Sequence, residues 1–158
     1  MSGTPEAFES LFRHEYTRMC RALASYGDGA EEAVQEAFVK ALTRWSRVGS
    51  MENPAGWVRT VAVHQLLNRQ RSRVREARAG ARIGRPVTEP DTDDTLDVRA
   101  VLASLSPQQR IVVGMFYGGG YPISGVAEAM DLSEGAVKYH LHAARERLRA
   151  ALTEDRNG

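Results

Sequence analysis

Residues 126–142 read VAEAMDLSEGAVKYHLH, and this stretch decides the predicted fold. Val126 and Met130 lie on one apolar face of a short predicted helix. Residues 131–132 follow as a turn, and Ser133 is a residue type that accepts hydrogen bonds from the first free N–H groups of a helix. Two short helices joined by a tight turn predict a helix-turn-helix, in which the second helix enters the major groove of DNA.

The second predicted helix has one apolar side and one polar side. Its core-facing positions recur at helical spacing and are Val137, Leu141, Ala144 and Leu148. The opposite side offers donors for phosphates and base edges, together with one aromatic ring, on Lys138, Tyr139, His142 and Arg145. We interpret this side as a DNA-reading face. A solvated amphipathic helix in a helical bundle is the alternative.

The composition indicates a globular protein that works in the cytoplasm. The 158 residues are enough for one ordinary domain or two small ones, and 42% hydrophobic with 26% charged residues argue against disorder. No apolar run approaches the roughly 20 residues of a membrane span, and the N-terminus lacks a signal-peptide pattern. The one cysteine, Cys20, lies among apolar neighbours and is predicted to be a buried small hydrophobic residue.

Charge is unevenly distributed along the chain. The net charge is +1, yet residues 86–97 hold five acidic residues and no basic one. Residues 79–96 combine glycines, prolines and acidic side chains without periodicity, and they are predicted to form a flexible acidic linker. Almost all of the basic residues are arginines, whose planar forks suit phosphate and guanine. A GC-rich genome would give the same bias.

No strand-like alternation of useful length occurs, so the predicted fold is all-α with two small helical domains. The N-terminal domain is expected to span residues 1–78, and the C-terminal domain residues 97–158. Three helices are predicted in the N-terminal domain. Their apolar faces are Phe8, Leu11, Phe12, Met19 and Leu23 in the first, Val34, Phe38, Leu42 and Trp45 in the second, and Trp57, Val58, Val61, Ala62 and Leu66 in the third.

The third predicted helix, which starts near Pro54, also carries a polar stripe. The stripe runs into an arginine-rich segment and consists of Thr60, His64, Asn68 and Arg71. A polar stripe next to clustered arginines suits a surface that tracks phosphates or binds single-stranded nucleic acid. A solvated helix face is the alternative.

Four motifs in this order resemble those of a known family. They read AEEAVQEAF at residues 30–38, GWVRTVA at 56–62, LSPQQR at 105–110, and GAVK at 135–138 closing with ARERL at 144–148. On these motifs the chain resembles the bacterial extracytoplasmic-function (group four) sigma factors of RNA polymerase, in particular those of actinobacteria. The resemblance covers almost the whole chain, from Phe8 to Leu152.

The resemblance implies a transcription initiation factor that binds core RNA polymerase and directs it to promoters. The first motif would bind the clamp helices of polymerase through Glu32, Val34, Gln35, Glu36 and Phe38. The N-terminal domain would capture melted minus-ten DNA with Arg47, Ser50, Met51, Asn53, Thr60, His64, Asn68 and Arg71. The C-terminal domain would contact the polymerase flap and read the minus-thirty-five element with Ser133, Lys138, Tyr139, His140, His142 and Arg145. An anti-sigma factor is a further partner that the resemblance allows.

The residues give no support to an enzyme. His140 and His142 are two positions apart and point to different faces of a helix, so they cannot share a metal. Cys20 has no histidine at a nucleophile spacing, and the glycines at 118–120 lack the Lys-Ser or Lys-Thr of a phosphate loop. We therefore predict no catalytic residue, metal or cofactor. The rival function is a stand-alone helix-turn-helix regulator, which has no reason to carry the motif at residues 30–38.

The predicted linker has a consequence for the free protein. Promoter elements about 17 base pairs apart are separated by roughly 58 Å, which a coil of about 18 residues spans only when nearly stretched. Away from DNA, the acidic residues of the linker can lie against the arginine-rich surface of either domain. We expect the two domains to pack together with their DNA-reading faces partly hidden, and a simple flexible tether is the alternative.

Overall fold

The computed structural model describes residues 4–79 and 98–157, and every regular element within these ranges is helical. Eight α-helices occur in this part of the chain, with a 3₁₀ turn at Ala24–Tyr26 and a π-helical turn at Gly114–Gly118. The helices are α1 Pro5–Leu23, α2 Ala30–Thr43, α3 Trp45–Val48, α4 Pro54–Arg78, α5 Val98–Ser104, α6 Pro107–Val113, α7 Ile123–Met130 and α8 Glu134–Asn157. The predicted all-α fold is confirmed.

Three of the helices begin with the same pair of signals, a polar cap followed by proline. The Thr4 side chain accepts a hydrogen bond at the start of α1, Asn53 does so at the start of α4, and Ser106 at the start of α6. Each of them precedes a proline, which has the φ angle of a first helical turn and no N–H to satisfy. Local sequence therefore fixes where these helices start, including the predicted start of α4 at Pro54.

The core of the N-terminal domain is built where α1, α2 and α4 pack together. The side of α2 that faces α4 carries small residues, which let the two helices approach closely. An aromatic cluster closes one end of this domain, with Phe38 packed edge-on against Phe8 and Phe12. Trp45 completes it and donates its Nε1–H to the backbone oxygen of Thr4 at 2.8 Å.

The C-terminal domain contains the predicted helix-turn-helix. Helix α7 ends at Met130, and the capping residue Asp131 adopts the left-handed conformation (φ 54°) that helix termini favour. Ser133 Oγ then accepts a hydrogen bond from the Ala136 N–H at 3.0 Å, as an N-cap does. Val137, Leu141 and Ala144 of α8 are buried, so the predicted inward side of the second helix is confirmed for these three residues.

Some sequence-based expectations about the core are wrong. Leu42 is 56% exposed, because the buried positions of α2 lie on the side that carries its alanines. Phe12 and Leu148 are also more exposed than their predicted core positions imply. Cys20 is half-buried with a free thiol, whose pKa is raised by burial. The second helix was predicted to continue through Trp45, whereas the structure divides it into α2 and the short helix α3.

The two domains pack directly against each other. Helix α4 contacts α7, and the C-terminal part of α1 contacts the π-helical turn. As a result, one continuous apolar core runs from Met19 and Leu23 of the N-terminal domain to Ile111 and Met115 of the C-terminal domain. The predicted acidic linker at residues 79–96 lies outside the described residues, apart from Ala79, which caps the end of α4.

Candidate nucleic-acid and protein interfaces

The recognition helix α8 presents its predicted DNA-reading side to solvent. Lys138, His142 and Arg145 are exposed, and Tyr139 is 66% exposed. Arg145 donates from Nε to the hydroxyl of Tyr117 at 2.7 Å, which fixes its guanidinium at one end of the helix-turn-helix. Basic donors and an exposed aromatic ring on one helix face are suited to phosphates and base edges.

Two residues predicted to read DNA are less available for contact with DNA than the others. Ser133 uses its hydroxyl as the N-cap of α8, so its oxygen is already engaged by the protein backbone. His140 is half-buried, and its buried Nδ1 makes no hydrogen bond within the described structure. His140 therefore lies at the edge of the reading face.

The polar stripe of α4 is exposed as a continuous surface over most of its length. His64, Asn68 and Arg71 are exposed, one helical turn after another. Thr60 is half-buried and donates its hydroxyl hydrogen bond to the backbone oxygen of Gly56 at 2.9 Å. The stripe thus presents an imidazole, an amide and a guanidinium to solvent.

The loop between α3 and α4 leads into the helix that carries this stripe. Ser50 donates to the backbone oxygen of Arg47 at 2.8 Å, and Met51 is half-buried. Asn53 caps α4 with its side-chain oxygen, while its Nδ2 donates to Glu128 of α7 at 3.4 Å. The structure therefore brings the candidate loop and the C-terminal domain together at the start of α4.

The five α2 residues predicted to bind a protein partner divide into two groups. Glu32, Gln35 and Glu36 are exposed, and Glu36 forms an ion pair with Arg69 of α4 at 2.7 Å. Val34 and Phe38, in contrast, are buried in the core. Direct contact of their side chains with a partner is therefore incompatible with the fold, and this part of the prediction is corrected.

Sequence reasoning missed two exposed apolar side chains on the same surface of α2. Val39 is 59% exposed, and Leu42 lies three residues further along. Residues three and four apart on a helix are neighbours, so Gln35, Val39 and Leu42 form one partly apolar patch. The helical spacing of the sequence already indicated this exposure for Val39, because this residue lies outside the buried side of α2.

A buried polar cluster was also missed. Glu15 is only 7% exposed and accepts hydrogen bonds from Tyr121 Oη at 2.7 Å and Arg59 Nη1 at 3.1 Å. The Arg18 guanidinium lies over the Tyr121 ring, 4.0 Å from its centroid. The sequence held one clue, because Glu15 falls four residues after Leu11 and four before Met19, on the apolar side of α1.

The phenol of Tyr121 acts as a hydrogen-bond donor in this cluster. Burial raises the pKa of Tyr121 well above its usual range, and the hydrogen bond to the Glu15 carboxylate adds to the shift. The tyrosine is therefore protonated at neutral pH and can donate to Glu15.

In the part of the chain that the structure describes, no group of three or more histidine, cysteine, aspartate or glutamate side chains is arranged to hold a metal ion. None of the described helices is both long and apolar enough to cross a membrane.

Two family models match the two domains. Residues 11–76 match Sigma-70 region 2, and residues 95–148 match Sigma-70, region 4. Together the two matches cover most of the chain, in the order that the motifs indicate. The chain belongs to the ECF RNA polymerase sigma factors. This assignment confirms the resemblance drawn from the four motifs, the helix-turn-helix, and the prediction that the chain is not an enzyme.

Relatives of this sigma factor match along nearly its full length. The ECF RNA polymerase sigma factor SigL of Mycobacterium tuberculosis is 29% identical, with 98% of this chain and 96% of SigL covered. SigM of the same organism is 27% identical, with 94% of this chain and 78% of SigM covered. The fold resembles that of the sigma factor RpoE from Bartonella quintana, solved in complex with the anti-sigma factor NepR (TM-score 0.64, 24% identity, 94% and 92% of the two chains covered).

Both sets of residues predicted to contact DNA remain accessible in this sigma factor. The α4 stripe and the outer side of α8 are exposed although the domains are packed together. The described domains pack together as expected, and their packing engages one residue of the predicted minus-ten set, Asn53, which donates to Glu128. The interface between the domains is formed mainly by α1, α4, the π-helical turn and α7.

Proposed function

We propose that this sigma factor binds core RNA polymerase in the cytoplasm and directs it to specific promoters. The observation that carries the proposal is the exposure of three separate surfaces on two family-matched domains. These surfaces are the α2 patch, the polar stripe of α4 and the reading face of α8. We assign residues 1–78 to polymerase and minus-ten binding and residues 97–158 to minus-thirty-five binding, with residues 79–96 as the linker.

The α2 patch is the proposed contact with the clamp helices of polymerase. Gln35, Glu36 and Glu32 supply polar groups, and Val39 and Leu42 supply apolar area that folding leaves in water. Interfaces combine an apolar centre with a polar rim in this way. The Gln35 side chain is oriented by its hydrogen bond to Tyr16 Oη at 3.2 Å.

Replacing both Gln35 and Val39 by alanine is expected to weaken core polymerase binding by roughly tenfold, about 1.4 kcal/mol. Both side chains are exposed, so the fold is expected to remain intact. Binding is measured by fluorescence anisotropy with labelled sigma factor, and folding by circular dichroism. Arg13→Ala, an exposed change on α1, is the control that leaves binding unchanged. Unaltered affinity of a folded double variant for core polymerase would exclude the α2 patch as the polymerase contact.

The α4 stripe and the neighbouring loop are the proposed site for melted minus-ten DNA. Bases that leave the duplex can be held by polar side chains, while arginines follow the phosphates. His64 and Asn68 offer hydrogen bonds, and Arg71 begins a run of exposed basic residues that continues with Arg73 and Arg75.

Replacing His64 and Asn68 by alanine is expected to impair open-complex formation and leave upstream promoter binding intact. Both side chains are exposed, so the fold is expected to remain intact. Permanganate footprinting detects the melted bases, and a gel-shift assay with the polymerase holoenzyme detects upstream binding. Normal melting by the double variant contradicts the assignment.

The outer side of α8 is the proposed reader of the minus-thirty-five element. Lys138, Tyr139 and His142 are positioned to contact base edges, while Arg145 and His140 are assigned mainly to phosphates. Base-reading side chains contribute about 1–3 kcal/mol at their cognate position, whereas phosphate contacts contribute to all sequences alike.

Tyr139→Ala is therefore expected to relax promoter discrimination, with a loss of about 1–3 kcal/mol at the cognate site. Arg145→Ala is expected to weaken binding to all sequences and to lower the slope of affinity against salt by about one. Competition among promoter variants at several salt concentrations separates the two effects. If Tyr139→Ala leaves promoter choice unchanged, the reading face must lie on another side of α8.

The C-terminal domain offers a further surface for the polymerase flap. A groove of about 450 Å³ is lined mainly by residues of this domain, Val101, Leu105, Val113, Tyr117 and Leu148, and also by Arg21 and Ser25 of the N-terminal domain. We assign the flap to this groove. Because the RpoE of the similar structure is bound to an anti-sigma factor, we propose that an anti-sigma factor also binds this chain.

Co-purification with core polymerase tests the proposed function. The full-length chain is mixed with core polymerase and passed over a size-exclusion column. A sigma factor is expected to elute with polymerase, and the α2 double variant is expected to do so less. A chain that elutes alone while it binds promoter DNA tightly would instead be a stand-alone regulator.

A further inference from the structure

Arg145 of α8 is held by a neutral partner, whereas a neighbouring arginine is held by a charged one. Arg149, one helical turn further along, forms an ion pair with Glu146 at 2.9 Å. Arg145 instead donates from Nε to the hydroxyl of Tyr117 at 2.7 Å, and within the described residues it forms no ion pair. Because a phenol carries no charge at neutral pH, the positive charge of Arg145 is left for a partner outside the chain.

The bond to Tyr117 leaves the outer edge of the Arg145 guanidinium unoccupied. A guanidinium carries its N–H donors in a planar fork, and Tyr117 accepts only from Nε. The donors on Nη1 and Nη2 have no acceptor in the part of the chain that the structure describes. A fork of parallel N–H groups matches two oxygens of a phosphate. The exposed edge of Arg145 is therefore suited to a phosphate.

Tyr117 reaches Arg145 from the π-helical turn at Gly114–Gly118. Met115 of this turn is buried, whereas Tyr117 is 56% exposed. The Tyr117 ring packs edge-on against Phe116, at a centroid distance of 5.0 Å. Since more than half of the tyrosine stays in water, core packing alone does not explain its position. Short π-helical turns often occur at functional sites.

Arg145 lies on the side of α8 that we assign to the minus-thirty-five element. Lys138, His142 and Arg145 are all exposed, and their spacing of four and three positions makes them neighbours along one face of the helix. In helix-turn-helix proteins, the N-terminal residues of the recognition helix contact the base edges. Arg145 lies at the far end of this face, which places it closer to the DNA backbone than to the bases.

We propose that Tyr117 is a positioning residue that orients the Arg145 guanidinium toward a phosphate of the minus-thirty-five element. This inference rests on the proposed function, because it concerns how the reading face of α8 is held against DNA. A flexible arginine loses rotamer freedom when it binds, and this loss weakens binding. The bond to Tyr117 restricts Arg145 before DNA arrives, so the phenol raises the affinity for DNA through the arginine.

Tyr117→Phe removes the acceptor oxygen and keeps the aromatic ring of a residue that lines the groove of the C-terminal domain. We expect the affinity of the polymerase holoenzyme for promoter DNA to fall about two- to tenfold, on cognate and altered minus-thirty-five sequences alike. The slope of affinity against salt should not change, because the charge of Arg145 is retained. Thr153→Val is the matched control, since it removes an exposed hydroxyl that bonds within α8.

A double-mutant cycle shows whether Tyr117 acts through Arg145. Arg145→Ala is expected to lower the salt slope by about one, and adding Tyr117→Phe to this variant should cause no further loss of affinity. Additive losses would overturn the proposal, because the hydroxyl would then act without the arginine, by touching DNA itself or by supporting the domain.

The Nε–H group of Arg145 reports on the positioning in the absence of DNA. Its NMR resonance in the full-length chain is assigned by its disappearance in Arg145→Ala. We expect this hydrogen to exchange with water several-fold faster in Tyr117→Phe than in the wild-type protein, because a hydrogen bond protects it from exchange. Equal exchange rates in the two proteins would overturn the proposal.

The two measurements distinguish a failure of the positioning role from a failure of the proposed function. If the wild-type chain directs polymerase to promoters and Tyr117→Phe binds promoter DNA as tightly as wild type, the function stands and the positioning role is wrong. If the wild-type chain does not direct polymerase, the proposed function fails, while exchange of the Nε–H still decides whether Tyr117 orients Arg145.

Discussion

Phe38→Ala is expected to lower the free energy of unfolding by about 3–5 kcal/mol, the usual range for removing a buried phenylalanine. The ring is 3% exposed and packs edge-on against Phe12 at a centroid distance of 5.2 Å. Alanine would leave a cavity among Phe8, Phe12 and Tyr16, since the helix backbones hold these rings in place. Urea unfolding followed by circular dichroism measures the change.

Val39→Ala is the matched variant for this experiment. Val39 is the next residue on α2 and points to solvent, so its replacement is expected to change stability by no more than about 0.5 kcal/mol. The effects on polymerase binding, measured per folded molecule, are expected to be reversed. Val39→Ala should bind polymerase more weakly, and Phe38→Ala should bind it almost as well as the wild-type protein. A stable Phe38→Ala protein that fails to bind polymerase would contradict the separation of core and patch.

Glu15→Ala has the second large expected effect, a loss of about 3–5 kcal/mol of stability. The change leaves the Arg59 guanidinium without its carboxylate in a site that is only 12% exposed. It also removes the acceptor of the Tyr121 hydroxyl, and unsatisfied buried polar groups add to the cost. Because Tyr121 belongs to the C-terminal domain, part of the loss should appear as separation of the domains.

A double-mutant cycle with Tyr121→Phe isolates the contact between the domains. We expect a coupling energy of about 0.5–3 kcal/mol between Glu15 and Tyr121. Glu9→Ala is the control, since Glu9 pairs with Arg13 on the exposed side of the same helix and such pairs contribute little. Additive effects of the two substitutions would mean that the cluster does not join the domains.

The features that the sequence predicted are local ones. The helix starts near Pro54 and after Ser133 are determined by the side chains of Asn53 and Ser133, each of which accepts a hydrogen bond from the N–H group three residues further on. The exposed stripe of His64 and Asn68 also follows from helical spacing alone. No knowledge of the rest of the molecule is needed for any of these.

The buried side of α2 was predicted less accurately than these features, because the contact surface of this helix consists largely of alanines. A helix turns by about 100° per residue, so Leu42 lies about 80° around the axis from Val34. The buried residues Ala37 and Ala41 lie on the other side of Val34, where α4 approaches closely. Alanine is too weak a hydrophobic signal to show this direction against Leu42.

The interdomain contacts depend on residues far apart in the sequence. The glycines at 118–120 read as a turn, and nothing near them indicates that Arg18 donates to their backbone oxygens. Glu15 could be noticed as a polar residue on an apolar side, but its partners Arg59 and Tyr121 lie on other elements. Such pairings are set by tertiary packing, which helical periodicity does not encode.

Run-off transcription tests the central claim most directly. The purified chain is added to core polymerase with a pool of genomic promoter fragments, and the transcript starts are sequenced. We predict no transcription from the chain alone and initiation at a defined set of promoters once core polymerase is present. Tight promoter binding by the chain alone, with no effect on where core polymerase initiates, would contradict the account.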